Sequence, residues 1–268
     1  VGDEGRGVAT IIEMVSHTRL DCVVGSTAIM RQAVTQAGWH VAHREAFGSK
    51  LIDKPLMQNV LADLAVESEA ATVTALRLAR AYDESEAGDE DAQRLKRLAT
   101  AVAKYWVCKR QPNHAYEALE VHGGNGYDEA SGMPRLYREA PLSSIWEGSG
   151  NVMALDVLRA IGRDPRALEV FLDEVDEGAG ADPRLDAHIA DLRDDFTRPA
   201  DLELRARRVV ERMALALQGS LLVRHAPPAV ADAFCAARLT DEGGLEYGTL
   251  PAGVDVRTIV ARHTPAEA

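Results

Sequence analysis

The sequence predicts an all-α protein built on an antiparallel four-helix bundle, with further helices after it. Three observations support this prediction. The 268 residues are 46% hydrophobic but only 5% aromatic, a balance that favours packed helices over sheets. Apolar residues recur near a period of 3.6 in several long segments. No run of alternating apolar and polar residues indicates a strand.

The first two predicted helices are long and are joined by a turn. One covers about residues 8–44, and residues 16–18 are expected to divide it into a short and a long part, with Thr18 as an N-cap. Pro55 opens the second helix, because proline is favoured in the first helical turn. The acidic residues at 85–91 then form an exposed connector.

The third predicted helix has the clearest apolar stripe of the chain, from Leu95 to Trp106. Pro112 is expected to kink or interrupt this helix before it resumes and ends at His122. A fourth helix covers about residues 152–161. Four helices with short connections predict an antiparallel bundle.

The stretch Gly162-Arg163-Asp164-Pro165 marks the predicted domain boundary. We therefore expect residues 1–162 to form the bundle and residues 163–268 to form a separate helical extension. The helices of this extension are expected at about residues 165–177, 184–196, 199–224 and 227–240.

Composition narrows the class of protein. A formal net charge of −12 argues against a globally basic nucleic-acid binder. Three widely separated cysteines form neither a disulfide framework nor a metal motif, which fits a reducing, cytoplasmic location. No apolar run approaches the roughly 20 residues of a membrane span. The first residue is not Met, and we expect the chain to be a fragment of a longer protein.

One carboxylate has an unusual sequence context. Glu147 follows the apolar pair Ile145 and Trp146 and precedes the flexible sequence Gly148-Ser149-Gly150. A carboxylate held in this way at a cavity wall would be partly desolvated, as a general base requires. The alternative is an ordinary solvated glutamate in a loop, and the residues alone favour that alternative.

A basic residue at a predicted helix end is a second candidate. Arg44 precedes Phe47 and Gly48, and arginine is the side chain best suited to bind a pyrophosphate through two hydrogen bonds. The pattern alone nevertheless favours a solvated arginine beside a core phenylalanine. His40 and His43 have no partner at metal-ligand spacing, so no metal site is predicted.

Three sequence motifs point to a family. They are RxxFG at residues 44–48, GGNGY at residues 123–127 and LYREAPLSSIWEGSGN at residues 136–151. Together, at this spacing, they resemble the C-terminal domain of acyl-CoA dehydrogenases. The segment WEGSGNVMALDVLR is most similar to the AidB-type branch of this family, whose members are flavoproteins linked to the adaptive response to DNA alkylation. The resemblance covers nearly the whole chain.

The resemblance implies an FAD site formed across a subunit interface, in a homotetramer that is a dimer of dimers. RxxFG binds the FAD pyrophosphate of the neighbouring subunit in this family, and the segment that ends in the glycine pair meets the adenosine diphosphate part. The residues implied to bind FAD are Arg44, Phe47, Gly48, Glu120, Val121, Gly123, Gly124, Ser149 and Asn151.

The resemblance also implies that Glu147 is the catalytic base. In the family this residue removes the α-proton of an acyl-CoA thioester while a hydride leaves the β-carbon for the flavin. Arg19 and Gly148 are the implied substrate-side residues. Two positions depart from the family: Ser16 replaces an aspartate that contacts the CoA pantetheine, and Pro55 replaces a glutamine that contacts FAD.

Two functions of different classes follow from the resemblance. One is FAD-dependent α,β-dehydrogenation of an acyl-CoA-like substrate by the parent protein, with the isolated fragment inactive. The other is a flavoprotein that binds DNA in the alkylation response, with weak or vestigial dehydrogenase activity. A third interpretation is that the isolated fragment only assembles into oligomers.

The DNA-binding alternative depends on one cluster of arginines. Arg205, Arg208 and Arg212 lie on one face of a predicted helix. An ordinary solvated helix face explains this pattern at least as well as a phosphate-binding stripe does. Beyond Gly162 there are 13 Lys and Arg against 20 Asp and Glu. We therefore expect only weak, salt-sensitive duplex binding by the full-length oligomer and little by this chain.

Overall fold

Long helices dominate the structure, a computed structural model that describes residues 2–198 and 200–264. Three of them begin the chain: α1 (Gly7–His43), α2 (Pro55–Glu86) and α3 (Glu90–Val121). A hairpin of two-residue strands, β1 (Glu45–Ala46) and β2 (Ser49–Lys50), and a 3₁₀ turn at Leu51–Asp53 connect α1 to α2. Helices make up nearly all of the regular structure within the described ranges, which confirms the all-α class.

Shorter helices complete the described part of the chain. Their bounds are α4 (Gly124–Tyr127), α5 (Met133–Glu139), α6 (Leu142–Ile145), α7 (Gly150–Arg163), α8 (Arg166–Asp176), α9 (Pro183–Thr197), α10 (Ala206–His225), α11 (Pro228–Arg238) and α12 (Val256–His263), with a second 3₁₀ turn at Glu129–Ser131. Within these described segments, none of the helices combines the length and the apolar character needed to cross a bilayer.

The helix α3 is central to the bundle. It packs against α1, α2, α5, α7, α8 and α10. The helices α2 and α3 run antiparallel: the Tyr82 and Thr100 hydroxyls lie 3.3 Å apart near the connection, and His114 Nε2 donates to the Leu64 carbonyl at 2.9 Å farther away from it. Asp89 starts α3 as an N-cap, since its carboxylate accepts the Ala92 N–H at 2.9 Å.

The core consists of two apolar clusters, and α10 contributes to both. One cluster joins α2 and α3 to α7, α8 and α9, with Val210 and Met213 from α10. The other joins the first half of α2 to α11 and α12, with Leu215 and Leu222 from α10. The helices after residue 163 therefore share apolar contacts with those before it, and the division at residues 162–165 into two domains stays a prediction.

Two predicted interruptions are wrong. The division at residues 16–18 does not occur, because the Thr18 hydroxyl donates to the Met14 carbonyl at 3.2 Å and the Ser16 hydroxyl to the Ile12 carbonyl at 3.3 Å. Both hydroxyls are thus satisfied inside a continuous α1. Similarly, α3 continues through Pro112, since packing on several sides of this helix outweighs one missing backbone N–H bond. The interruption is therefore absent, and the kink at Pro112 stays a prediction.

The extension differs from its prediction at two places. The helix expected at 199–224 begins at Ala206, and residue 199 itself lies outside the described residues. The terminal helix α12 was not predicted. Its N-cap was a usable signal, since the Asp255 carboxylate accepts the Thr258 N–H at 3.1 Å.

Candidate active site

The Glu147 loop, defined as residues 146–149, connects α6 to α7. Glu147 has φ +56° and Gly148 has φ +114°. A non-glycine residue at positive φ costs on the order of 1–3 kcal/mol and persists only where its surroundings hold it. At Gly148 the φ value itself favours glycine, because side-chain-bearing residues rarely adopt it. The Glu147 side chain is half-buried, while Trp146 before it is exposed.

Arg19 holds this loop from α1. Its Nε donates to the Glu147 carbonyl at 3.1 Å, and its Nη1 donates to Asp156 Oδ2 at 3.0 Å. Asp156 on α7 is buried and also binds Arg97; burial alone would raise its pKa, but Arg97 and Arg19 lower it. The guanidinium predicted to lie beside the substrate therefore also serves as a structural link between α1, the loop and α7.

Lys104 is the residue of this site that sequence reasoning missed. Its amine, on α3, donates to the carbonyls of Ser144 and Gly148 on either side of Glu147. The side chain is fully buried, at 1% exposure. A signal was present in the sequence, because this lysine interrupts an otherwise apolar run, Ala101-Val102-Ala103.

A charged cleft of about 640 Å³ opens between α1, α3 and the end of α7. Arg19 lines it and also bonds the Glu147 carbonyl, but the residues of the Glu147 loop do not line this cleft. Arg94, Lys96 and Arg97 bring positive charge to its wall, and Ser16 lies on the α1 side.

Arg44, Phe47 and Gly48 lie in the turn after α1, as the sequence predicts. The Arg44 backbone is fixed: its N–H donates to the His40 carbonyl at 2.8 Å and its carbonyl accepts from Leu51 at 2.9 Å. Its exposed guanidinium makes no hydrogen bond with the described residues. Phe47, at φ +53°, is 92% exposed and is not the core phenylalanine of the alternative interpretation.

The predicted glycine pair lies at the end of α3, close to the end of α1. The rings of His40 on α1 and His122 after α3 are 4.7 Å apart, so this contact brings the Arg44 turn and the Gly123 segment to one end of the bundle. Gly123 has φ +59°. In this segment Glu120 is exposed, whereas Val121 is buried at 6%.

The residues at this end fit a dinucleotide. A Cβ added at Gly48, Gly123 or Gly124 would meet nothing within 4 Å, so a ligand can approach the bare backbone there. The guanidinium of Arg44 is available for a phosphate, whereas the exposed carboxylate of Glu120 would repel one.

The two predicted sites are far apart within one chain. About 25 residues of continuous α1 separate Arg19, beside the Glu147 loop, from Arg44, which corresponds to a rise of about 37 Å. One FAD molecule cannot have its ring at the first site and its pyrophosphate at the second. Ser149 ends the Glu147 loop and Asn151 lies in the first turn of α7, so both of these exposed residues are at the Glu147 end rather than near Arg44.

The predicted DNA-binding cluster is not supported, because two of its three charges are used internally. Arg205 Nη1 and Arg212 Nη1 bind the two oxygens of Asp195, at 2.9 Å and 2.8 Å, and that carboxylate is buried. Only Arg208 remains without a side-chain partner in the part of the chain described. A duplex would meet an already neutralised surface here.

The described residues include no group of three or more His, Cys, Asp or Glu side chains that could hold a metal ion. His43 stacks on Trp39 and bonds its carbonyl at 2.7 Å, while His40 faces His122.

Comparison with known proteins agrees with this geometry. The model of the acyl-CoA dehydrogenase C-terminal domain matches residues 5–162. AidB of Escherichia coli, described as an acyl-CoA dehydrogenase, is 40% identical over 245 residues, which are 91% of this chain and 44% of AidB. Acyl-CoA dehydrogenase family member 11 of Caenorhabditis elegans is 36% identical over 183 residues, 67% of this chain and 30% of that protein.

A solved structure shows the same arrangement of helices. The crystal structure of Caenorhabditis elegans ACDH-11 in complex with C11-CoA has a TM-score of 0.78 at 27% identity, and the match covers 98% of this chain and 45% of that one. The chain thus spans less than half the length of these relatives. On the match over residues 5–162 and the identity to AidB, the chain belongs to the acyl-CoA dehydrogenase family.

Proposed function

We propose that this chain is the C-terminal part of an FAD-dependent oxidoreductase that dehydrogenates an acyl-CoA-like thioester between its α- and β-carbons. The observation that supports this most directly is the Glu147 loop, which holds a half-buried glutamate at positive φ through contacts from Arg19 and Lys104. The CoA ligand in the ACDH-11 structure supports the substrate class.

Glu147 accepts the α-proton of the thioester in this proposal. FAD, when bound, supplies the acceptor for the hydride that leaves the β-carbon. Proton removal requires an ionised carboxylate and a site from which water is excluded. Exposed apolar side chains next to the loop, at Ile145 and Trp146, and along the start of α1, at Ile11 and Ile12, provide a surface that the acyl chain and a further domain would cover.

The cofactor would be shared between subunits. Because about 37 Å of α1 separates the Glu147 loop from Arg44, we propose that Arg44 and the Gly123 segment bind the FAD of a neighbouring subunit. This proposal requires a homo-oligomer, and the dimer of dimers that the family resemblance implies is part of it. The three cysteines are free and buried, which supports a reducing, cytoplasmic location.

The test is Glu147→Gln in the full-length protein that we propose contains this chain. The amide is nearly isosteric but cannot accept the proton, so we expect normal flavin content and loss of flavin reduction by acyl-CoA, followed as bleaching of the flavin absorbance. Glu139→Gln, which alters an exposed glutamate on α5, is the matched control and should behave as wild type. Equal reduction rates in Glu147→Gln and wild type would contradict the proposal.

A further inference from the structure

A lysine is buried under the Glu147 loop without a carboxylate to pair with. Lys104 is 1% exposed and is among the largest fully buried side chains. It forms no salt bridge with any acid in the described ranges. A buried ammonium without an anionic partner is costly, so the other contacts of this amine must explain its position.

Those contacts are with the loop that presents the base and with α6 just before it. The amine donates to the Ser144 carbonyl at 3.5 Å and to the Gly148 carbonyl, which lie three residues before and one residue after Glu147. Arg19 on α1 bonds the Glu147 carbonyl between them. Three carbonyl contacts, from the side chains of Lys104 and Arg19, therefore fix the backbone around a residue that would not adopt positive φ unaided.

The other groups around the amine do not give it an ion-pair partner. The charged and titratable groups around it are Glu147, Arg19 and the thiols of Cys22 and Cys108. Burial raises the pKa of the Cys108 thiol to about 12 and also raises that of Cys22, so both thiols are neutral at ordinary pH. Within the described residues no carboxylate oxygen lies within 4.0 Å of the amine, so its hydrogen bonds to the two carbonyls are the contacts that hold it.

We propose that Lys104 is a positioning residue for the base: its buried amine holds the backbone on both sides of Glu147 through the Ser144 and Gly148 carbonyls. The expected effect of Lys104 on catalysis rests on the proposed function, whereas its effect on the order of the backbone around Glu147 does not.

The hold on the loop is tested in this chain alone by amide hydrogen exchange. Lys104→Met keeps a straight apolar side chain but removes the donors and the charge. We expect exchange at the Trp146 and Gly148 amides, which bond within the loop region, to become at least about tenfold faster. Lys109→Met is the control, because Lys109 lies on the same helix beside Gly150 but has no hydrogen bond to the loop among the described contacts. Unchanged exchange in Lys104→Met would overturn the proposal.

A second variant separates the donors from the charge. Lys104→Gln retains a donor without the charge, so we expect exchange close to that of wild type. It also serves if Lys104→Met fails to fold, as judged by circular dichroism. If Lys104→Gln folds and its loop exchanges as fast as in a denatured peptide, the carbonyl contacts are not what holds the loop, and the proposal fails.

The catalytic part is tested in the full-length protein by rapid-reaction flavin reduction. For Lys104→Met we expect reduction about 10- to 100-fold slower at neutral pH, with thioester affinity and flavin content nearly unchanged. Lys104→Gln, which keeps a donor for the carbonyls, should recover most of the wild-type rate, a rescue that a purely structural role of the charge would not produce. Rates in Lys104→Met equal to those of Lys109→Met would overturn this part. If wild type itself fails to reduce flavin, the proposed function fails, and the exchange experiment still decides the role in the loop.

Discussion

Replacing Arg238 by Met should lower the free energy of unfolding of this chain by about 3–5 kcal/mol. Arg238 on α11 has 11% side-chain exposure and binds two acids of α2, Asp63 and Glu67, which are 0% and 3% exposed. Arg110 on α3 provides Glu67 with a second cation at 3.0 Å. Burial alone would raise the pKa of Glu67, but the two arginines lower it to about 2.

The expected loss in free energy of unfolding follows from the contacts that Asp63 and Glu67 keep in Arg238→Met. Glu67 keeps Arg110, and Asp63 keeps the Gly248 N–H at 2.9 Å but loses its ion pair. Removing one partner of a buried ion pair costs about 3–5 kcal/mol, whereas an exposed pair is worth about 0–1 kcal/mol. Arg138→Met is therefore the matched control, since Arg138 binds Glu129 through two bonds, at 2.7 Å and 2.9 Å, with side-chain exposures of 59% and 70%.

Urea unfolding, followed by circular dichroism and by tryptophan fluorescence, measures both variants. The ordinary pKa of Glu67 is 4.5 and its folded value is about 2, so its ion-pair contribution is present above pH 4.5 and is lost as pH falls toward 2. The difference between Arg238→Met and wild type should shrink across that window. A loss below about 1 kcal/mol at pH 7, or a loss equal to that of Arg138→Met, would refute the reasoning.

Three further predictions concern acid stability, the cofactor and the end of α3. Burial lowers the pKa of His114 from 6.5 to about 4, so wild type should lose about 3 kcal/mol of stability as pH falls from 6.5 to 4, and His114→Gln should flatten that part of the profile. In the full-length protein, Arg44→Ala should weaken FAD binding by about 1.5–3 kcal/mol, measured by titration of the apoprotein; unchanged affinity would remove Arg44 from the site. Gly126→Ala would place a Cβ 2.1 Å from a backbone carbonyl of α3, whereas Gly124→Ala meets nothing within 4 Å. We expect Gly126→Ala to lower the free energy of unfolding by about 1–3 kcal/mol, which a lower thermal midpoint would report. Gly124→Ala should leave the thermal midpoint nearly unchanged.

The sequence by itself determined the helical class, the start of α2 at Pro55 and the positions of the motifs around Arg44 and Glu147. These features depend on residues close together in the chain: a period of 3.6, a proline with a fixed φ, and short motifs that resemble a family. Reasoning from neighbouring residues in the sequence wrongly predicted that α1 is interrupted at residues 16–18 and α3 at Pro112. Contacts from neighbouring turns and helices decided that both helices continue.

Only the tertiary structure decided which charges meet. Lys104 reaches carbonyls 40 and 44 residues away, and Arg238 reaches acids more than 170 residues away. Asp195 neutralises two arginines that looked like a free basic stripe in the sequence. The spacing of residue types predicts which face of a helix a side chain occupies. The partner and the burial of that face depend on how the helices pack, and partner and burial together set the energy of each charge–charge interaction.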